Sequence, residues 1–466
     1  MRNALIAAGV AVISVAGAVA AVVISSGSGG RTAVPLTQVA APATTAAGTT
    51  AAPPPTQAGT TTRSQAPATP RSHPQIPAHL TESDSTVSLP TTTAEIPPPP
   101  PPKSPRTRTF SVGVVDDSLA QQSPAAAASA VETSRRAGFD TVVVSATWNR
   151  GLTALPPHVL HALRNVQAVT RKRNMRLFLV VWHGYSKNTP RNAADRQQFA
   201  TFAAAAVNAL PYVSAATVGN EPNLNTFWLP QFGPAGHDVA APAYEDLLAR
   251  SYDAIKRVAP KVTVIGGAVS PRGADNPNGY RPTHSPTVFI RDLGKAYRAS
   301  GRRKPIMDAF GIHPYMVAPW ISPREAHPNT AEITFADYPK LVTLLDEAFR
   351  GTHQRGRTLP IYYSEFGVQT VVPDSELHAY QEGSQLDAEW GVSAATQAAY
   401  YRQAFALAYC QPTVKGLFVF HTFDEPNMNG WQSGLYYADR TPKRSLRGFR
   451  RTVADLRDGK LVTCAR

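Results

Sequence analysis

Two hydrophobic periods take turns along the chain from residue 110 onward. Short runs dominated by Val, Ile, Leu, Phe and Tyr recur at residues 110–115, 141–148, 176–182, 215–221, 262–270, 309–315, 361–366 and 416–423. Runs of this length with few polar interruptions predict strands buried on both faces. Between them, apolar positions return at helical spacing, most plainly over 155–174, 192–210, 241–258, 335–349 and 394–409. Eight strand units alternating with helices predict a (β/α)8 TIM barrel over residues 110–466. A doubly wound open sheet would carry a Gly-rich phosphate turn after its first strand. Here Val114 and Val115 are followed by Asp116, Asp117 and Ser118 instead.

The first 109 residues do not share this pattern. They contain no aromatic residue, although the chain has 17 Phe, 16 Tyr and 6 Trp, and they hold 17 of its 42 prolines. Such a segment has too little apolar surface to offset the conformational entropy of folding. Residues 4–24 form a charge-free apolar run behind Arg2, long enough to cross a bilayer core of about 30 Å. Residues 1–30 therefore read as an uncleaved signal anchor oriented N-in, or as a removed signal peptide with a small-residue cleavage pattern at Ala18, Val19 and Ala20. Residues 31–109, rich in Ala, Thr, Ser and Pro and ending in the hexaproline 97–102, read as a disordered linker with polyproline II character. The expected location is the cell membrane, single-pass with an extracellular catalytic domain, or the secreted fraction.

The formal charge of +14 adds little. Basic residues lie in small scattered groups with no interleaved aromatics, so they read as a solvated surface and no nucleic-acid partner is expected. Cys410 and Cys464 are the only cysteines, and outside the cytoplasm they are expected to form a disulfide rather than a metal site or a nucleophile.

Candidate chemistry enters at two strand ends. Glu221 ends the fourth predicted strand and Glu365 lies near the end of the seventh, each a single carboxylate beside Pro or Gly in an apolar run. In a TIM barrel both would face the mouth where active sites form. With strands about 4.8 Å apart and tilted by about 36°, these backbones stand roughly 13 Å apart and the carboxylates roughly 5 to 6 Å apart. A gap of that size suits a glycosidic carbon held between two carboxylates.

Asn220, Glu221 and Pro222 on strand four, His313, Pro314 and Tyr315 on strand six, and Ser364, Glu365, Phe366 and Gly367 on strand seven resemble the retaining glycoside hydrolases of clan A, particularly families 5 and 39. The resemblance implies a glycosidase acting by double displacement, with Glu221 as acid/base and Glu365 as nucleophile. It also implies that Asn220 hydrogen-bonds the sugar 2-hydroxyl and that Tyr315 donates to the nucleophile. The chain departs from many such enzymes on strand two, where Val142, Val143, Val144 and Ser145 replace an arginine. A second departure is on strand eight, where Phe420, His421, Thr422, Phe423 and Asp424 stand in place of a tryptophan that Trp431 could replace.

All six tryptophans fall at a predicted strand end or in the loop after it. Sugar C–H faces stack on aromatic rings, so Trp148, Trp228, Trp320 and Trp431 are expected to bind substrate, with Trp182 and Trp390 as packing residues. His183 and His313 are expected to orient carboxylates or substrate hydroxyls, while His421 reads equally as a structural histidine. The expected substrate is a β-linked oligo- or polysaccharide of the cell envelope or extracellular space, cleaved by a monomer without cofactor or metal. An inactive carbohydrate-binding barrel and a metal-dependent barrel hydrolase are the other readings, the latter lacking the His-x-His pair expected on its first strand.

Overall fold

The computed structural model describes residues 110–381 and 390–464, so the anchor and linker expected over 1–109 lie outside the described residues. Eight parallel strands close into one barrel: β1 Ser111–Val115, β2 Thr141–Thr147, β3 Arg176–Trp182, β4 Val213–Val218, β5 Thr263–Val269, β6 Ala309–Ile312, β7 Ile361–Phe366 and β8 Val414–Phe420. Around them run α1 Pro124–Ala137, α2 Pro157–Lys172, α3 Ala193–Ala209, α4 Ala240–Val258, α5 Pro286–Ala299, α6 Tyr338–Phe349, α7 Ala394–Cys410 and α8 Ser445–Arg457. This is a (β/α)8 TIM barrel. Among the described residues no helix is long and apolar enough to cross a membrane.

The near-continuous apolar runs reflect two separate cores. Val115, Val143, Phe178, Ala215, Ile265, Ala309 and Phe418 fill the barrel interior. The alternate residues of the same strands pack outward against the helices. Inside, the rings of Phe178 and Phe418 meet edge to face at 5.3 Å, and Tyr362 lies 5.6 Å from both. Gly113 makes room for this cluster, since a Cβ there would stand 2.2 Å from the Phe418 ring.

Strands β4, β6 and β8 stop earlier than their hydrophobic runs suggest. Past β6 and β8 apolar residues such as Met316 and Phe423 continue because the loops above are themselves buried, so hydrophobicity overstates strand length there, while β4 gives way at Gly219 to the turn that carries Glu221. Three helices, α1, α5 and α8, were not singled out by periodicity. α1 and α5 are instead marked by Ser-Pro starts, in which Ser123 and Ser285 cap the N-termini.

Cys410, at the end of α7, is joined to Cys464 by a disulfide that closes a separation of 54 residues around β8 and α8. Cys464→Ser is expected to lower the unfolding free energy by about 2 to 4 kcal/mol. Urea denaturation of oxidised protein measures this, and an unchanged midpoint would show that the crosslink contributes nothing.

Candidate active site

Glu221 lies three residues beyond β4 rather than on it. Gly219 and Glu221 both have left-handed backbone, with φ of 85° and 38°. That conformation costs a glutamate energy and persists only where neighbours enforce it. They do so here through a bulge in β5 at Gly267 and Ala268, where the Ala268 carbonyl accepts the Glu221 N–H at 2.9 Å. Tyr244 of α4 braces the same turn from below, its hydroxyl donating to Val218 O at 2.7 Å and accepting from Gly267 N at 2.8 Å. The buried amide of Asn223 ties the loop to the next one, donating to Ser270 O, Arg272 O and His284 O while its carbonyl accepts from Ser270 N. Tyr244 carries no local sequence signal for this role. Asn223 does, through its place in the Asn-Glu-Pro-Asn run.

Glu365 is on β7 as expected, and His313 and Tyr315 join it to Glu221. His313 Nδ1 is 3.1 Å from Glu221 Oε1 and 4.0 Å from Glu365 Oε1, which limits the separation of those oxygens to about 7 Å. The Tyr315 hydroxyl donates to Glu365 Oε1 at 2.9 Å. Both carboxylates are shielded, with side chains only 12% and 21% exposed. Trp431 leans on Tyr315 at 5.2 Å between ring centres and meets the edge of Phe420 at 5.4 Å. Its backbone is held by Glu425, whose carboxylate accepts the Trp431 main-chain N–H at 3.1 Å. Asn220 sits half-buried between Gly219 and Glu221.

The electrostatics follow from this packing. Burial pushes the Glu365 carboxyl above its usual range, opposed by attraction to His313 and reinforced by the nearby negative charge of Glu221. Burial alone would depress His313, but attraction to Glu365 and the hydrogen bond and charge of Glu221 outweigh it, so its pKa is raised. Tyr315 is raised well above the phenol range, first by burial and then by Glu365. It therefore stays a donor.

The other expected site residues divide. His183 is buried away from the glutamates, its Nε2 donating to Phe227 O at 2.6 Å, and burial lowers its pKa to about 4 despite that hydrogen bond. Trp148 and Trp228 correct the expectation that they bind substrate. Trp148 is fully buried against Phe199 with its indole N–H on Leu152 O, and Trp228 is enclosed by His183 and Tyr244. Neither keeps a face for a sugar, because the loops above the barrel need large side chains to fill their own small cores. Trp320 remains on the surface, 47% exposed, with Trp390 beside it at 5.5 Å. Among the described residues no group of three or more His, Cys, Asp or Glu is arranged to hold a metal ion.

No protein-family model matches the chain, and no curated protein matches it. Solved structures do. One is a variant of GH5_18 from Streptomyces cattleya in complex with Manβ1-4GlcNAc, with a TM-score of 0.51 and 16% identity over 77% of this chain and 83% of that one. A GH39 enzyme from Xanthomonas axonopodis pv. citri gives a TM-score of 0.48 and 14% identity over 76% of this chain and 67% of that one. An exo-β-1,4-mannosidase from Opitutaceae bacterium strain TAV5 gives a TM-score of 0.48 and 15% identity over 76% of this chain and 60% of that one. At such identities the likeness is one of fold.

Proposed function

We propose that the chain is a retaining glycoside hydrolase that cleaves O-glycosidic bonds in a β-linked glycan by double displacement. The observation that carries this reading is the carboxylate pair itself, Glu221 and Glu365, shielded at the barrel mouth and bridged by His313. The bound of about 7 Å on that one oxygen pair is compatible with the roughly 5 to 5.5 Å of a nucleophile and acid/base pair, which supports this reading.

In this reading Glu365 attacks the anomeric carbon, and the bond from that carbon to the leaving oxygen breaks as Glu221 delivers its proton to that oxygen. Glu221, now a carboxylate, then takes a proton from water, whose oxygen attacks the same carbon and displaces Glu365. Tyr315 holds one oxygen of Glu365 so that the other faces the sugar. In the same reading Asn220, beside Glu221, meets the sugar 2-hydroxyl, and Trp431 is the stacking platform. The GH5_18 variant from Streptomyces cattleya, in complex with Manβ1-4GlcNAc, supports this reading without selecting a sugar. The apolar run at residues 4–24 supports a catalytic domain held outside the cytoplasm, where an envelope or extracellular glycan would be its substrate.

NMR of the first products from an aryl β-glycoside tests the stereochemistry. The β-anomer is expected to appear first and to mutarotate later. Initial release of the α-anomer would overturn the double displacement.

A further inference from the structure

Across the mouth from Glu221 lies a second polar group that the proposed displacement does not use. In a closed ring of eight strands β8 stands opposite β4, with β1 beside it. The leaving group is on the Glu221 side, so the ends of β8 and β1 would face the part of the sugar ring remote from the scissile bond. His421 follows β8 there, and Asp117 follows β1.

Both are held with care. His421 has left-handed backbone, φ 76°, which a histidine adopts only under constraint. Its N–H donates to Val115 O at 2.9 Å, and the next residue, Thr422, donates its N–H to the buried carboxylate of Asp116 at 2.8 Å. Its ring stacks on Phe420 at 3.8 Å between centres. His421 as a residue is 8% exposed, yet neither ring nitrogen has a hydrogen-bond partner in the protein among the described residues: Nδ1 is enclosed without one, and Nε2 stands 3.8 Å from Glu425 Oε1. With Nδ1 enclosed, Nε2 is the nitrogen left for a ligand to complete. Asp117 takes the backbone N–H of Ser145 at 2.6 Å on one oxygen and remains open to solvent, leaving its carboxylate with acceptor capacity. Desolvation by the surrounding atoms raises its pKa all the same, against its hydrogen bonds with Ser145. His421 is near enough to both Asp117 and Glu365 to act on each electrostatically.

Resting on the glycosidase reading, we infer that Asp117 and His421 form a glycone-recognition subsite, the carboxylate accepting from and the imidazole Nε2 donating to hydroxyls of one sugar ring. A hydroxyl both donates and accepts, so it satisfies the pair, whereas a sugar carboxylate would meet Asp117, Glu365 and Glu425. Among the described residues none of these three is ion-paired with Lys or Arg. The subsite therefore selects neutral glycosides and rejects uronides.

Asp117→Asn retains a carbonyl for Ser145 N–H, and His421→Asn suits a left-handed backbone, so both variants should fold, with circular dichroism as the check. Each is expected to lower kcat/KM on neutral aryl β-glycosides by about 10- to 100-fold, the worth of a hydrogen bond to a charged or buried partner. Among monodeoxy glycosides, the one lacking the recognised hydroxyl should lose activity with wild type and lose no further with Asp117→Asn. Undiminished kcat/KM in both variants, or efficient wild-type hydrolysis of β-glucuronides, would overturn the subsite while leaving the glycosidase reading intact. Calorimetric titration with the corresponding free neutral monosaccharides separates the two ideas. Binding that both variants weaken, without turnover by wild type, would retain the subsite and reject the hydrolase. Neither binding nor turnover would reject both.

Discussion

Glu365→Ala is expected to reduce turnover of every glycoside by at least about 10⁴-fold, because without the carboxylate no covalent intermediate can form. The loss should not depend on the leaving group, since even an activated phenolate leaves only after attack on the anomeric carbon. The fold should survive. Glu365 is at the strand end rather than in the interior cluster, and its removal relieves a buried charge that desolvation disfavours. Tyr315 would lose its partner, which costs some stability without displacing its ring from Phe366 and Trp431. Initial rates on a panel of aryl glycosides, with thermal unfolding as a control, make the comparison. Residual activity within about 10-fold of wild type would remove Glu365 from the role of nucleophile.

Glu221→Ala should behave differently. Loss of the general acid is expected to slow substrates with poor leaving groups by about 10² to 10⁴-fold, while formation of the glycosyl intermediate from activated aryl glycosides stays nearly intact. Breakdown of that intermediate then lacks a base, so azide should restore turnover and yield a glycosyl azide of retained configuration. The pH profile provides a second measurement. The acid limb should move to lower pH, because the negative charge of Glu221 helps to raise the Glu365 carboxyl, and without it Glu365 ionises more readily. His313 also loses a partner in this variant, which lowers its own pKa. Equal sensitivity of the two variants to leaving-group quality, or no response to azide, would refute the division of roles.

Both experiments rest on residues that stand out in the linear chain. Glu221 and Glu365 do so because each interrupts an apolar run with a single carboxylate, and a charge in such a place has to be paired or used. His313 and Tyr315 share a short motif two residues apart, which places both at the end of one strand. The barrel was legible for a related reason: parallel strands buried on both faces leave long apolar runs, and their alternation with helices admits few architectures. Cysteine arithmetic was equally direct, with two cysteines and one pairing.

What the sequence could not contain was direction. Trp148, Trp228 and Trp431 occupy comparable places after strands, yet the first two turn into the core and only the third reaches Tyr315. Which way a loop side chain turns depends on the volume left by loops distant in sequence, and no local period records that volume. The left-handed turn at Glu221 has the same character, since it is enforced by the β5 bulge and by Tyr244, both contributed by later parts of the chain. Asp117 and His421 belong here too. Separated by some 300 residues and without a shared motif, they become neighbours because closing the barrel brings its last strand against its first. Short-range pattern thus determined which elements form and which carboxylates sit at their ends, because burial and periodicity act locally. Ring closure and loop packing decided which side chains face the mouth, because they depend on contacts made only once the whole chain is in place.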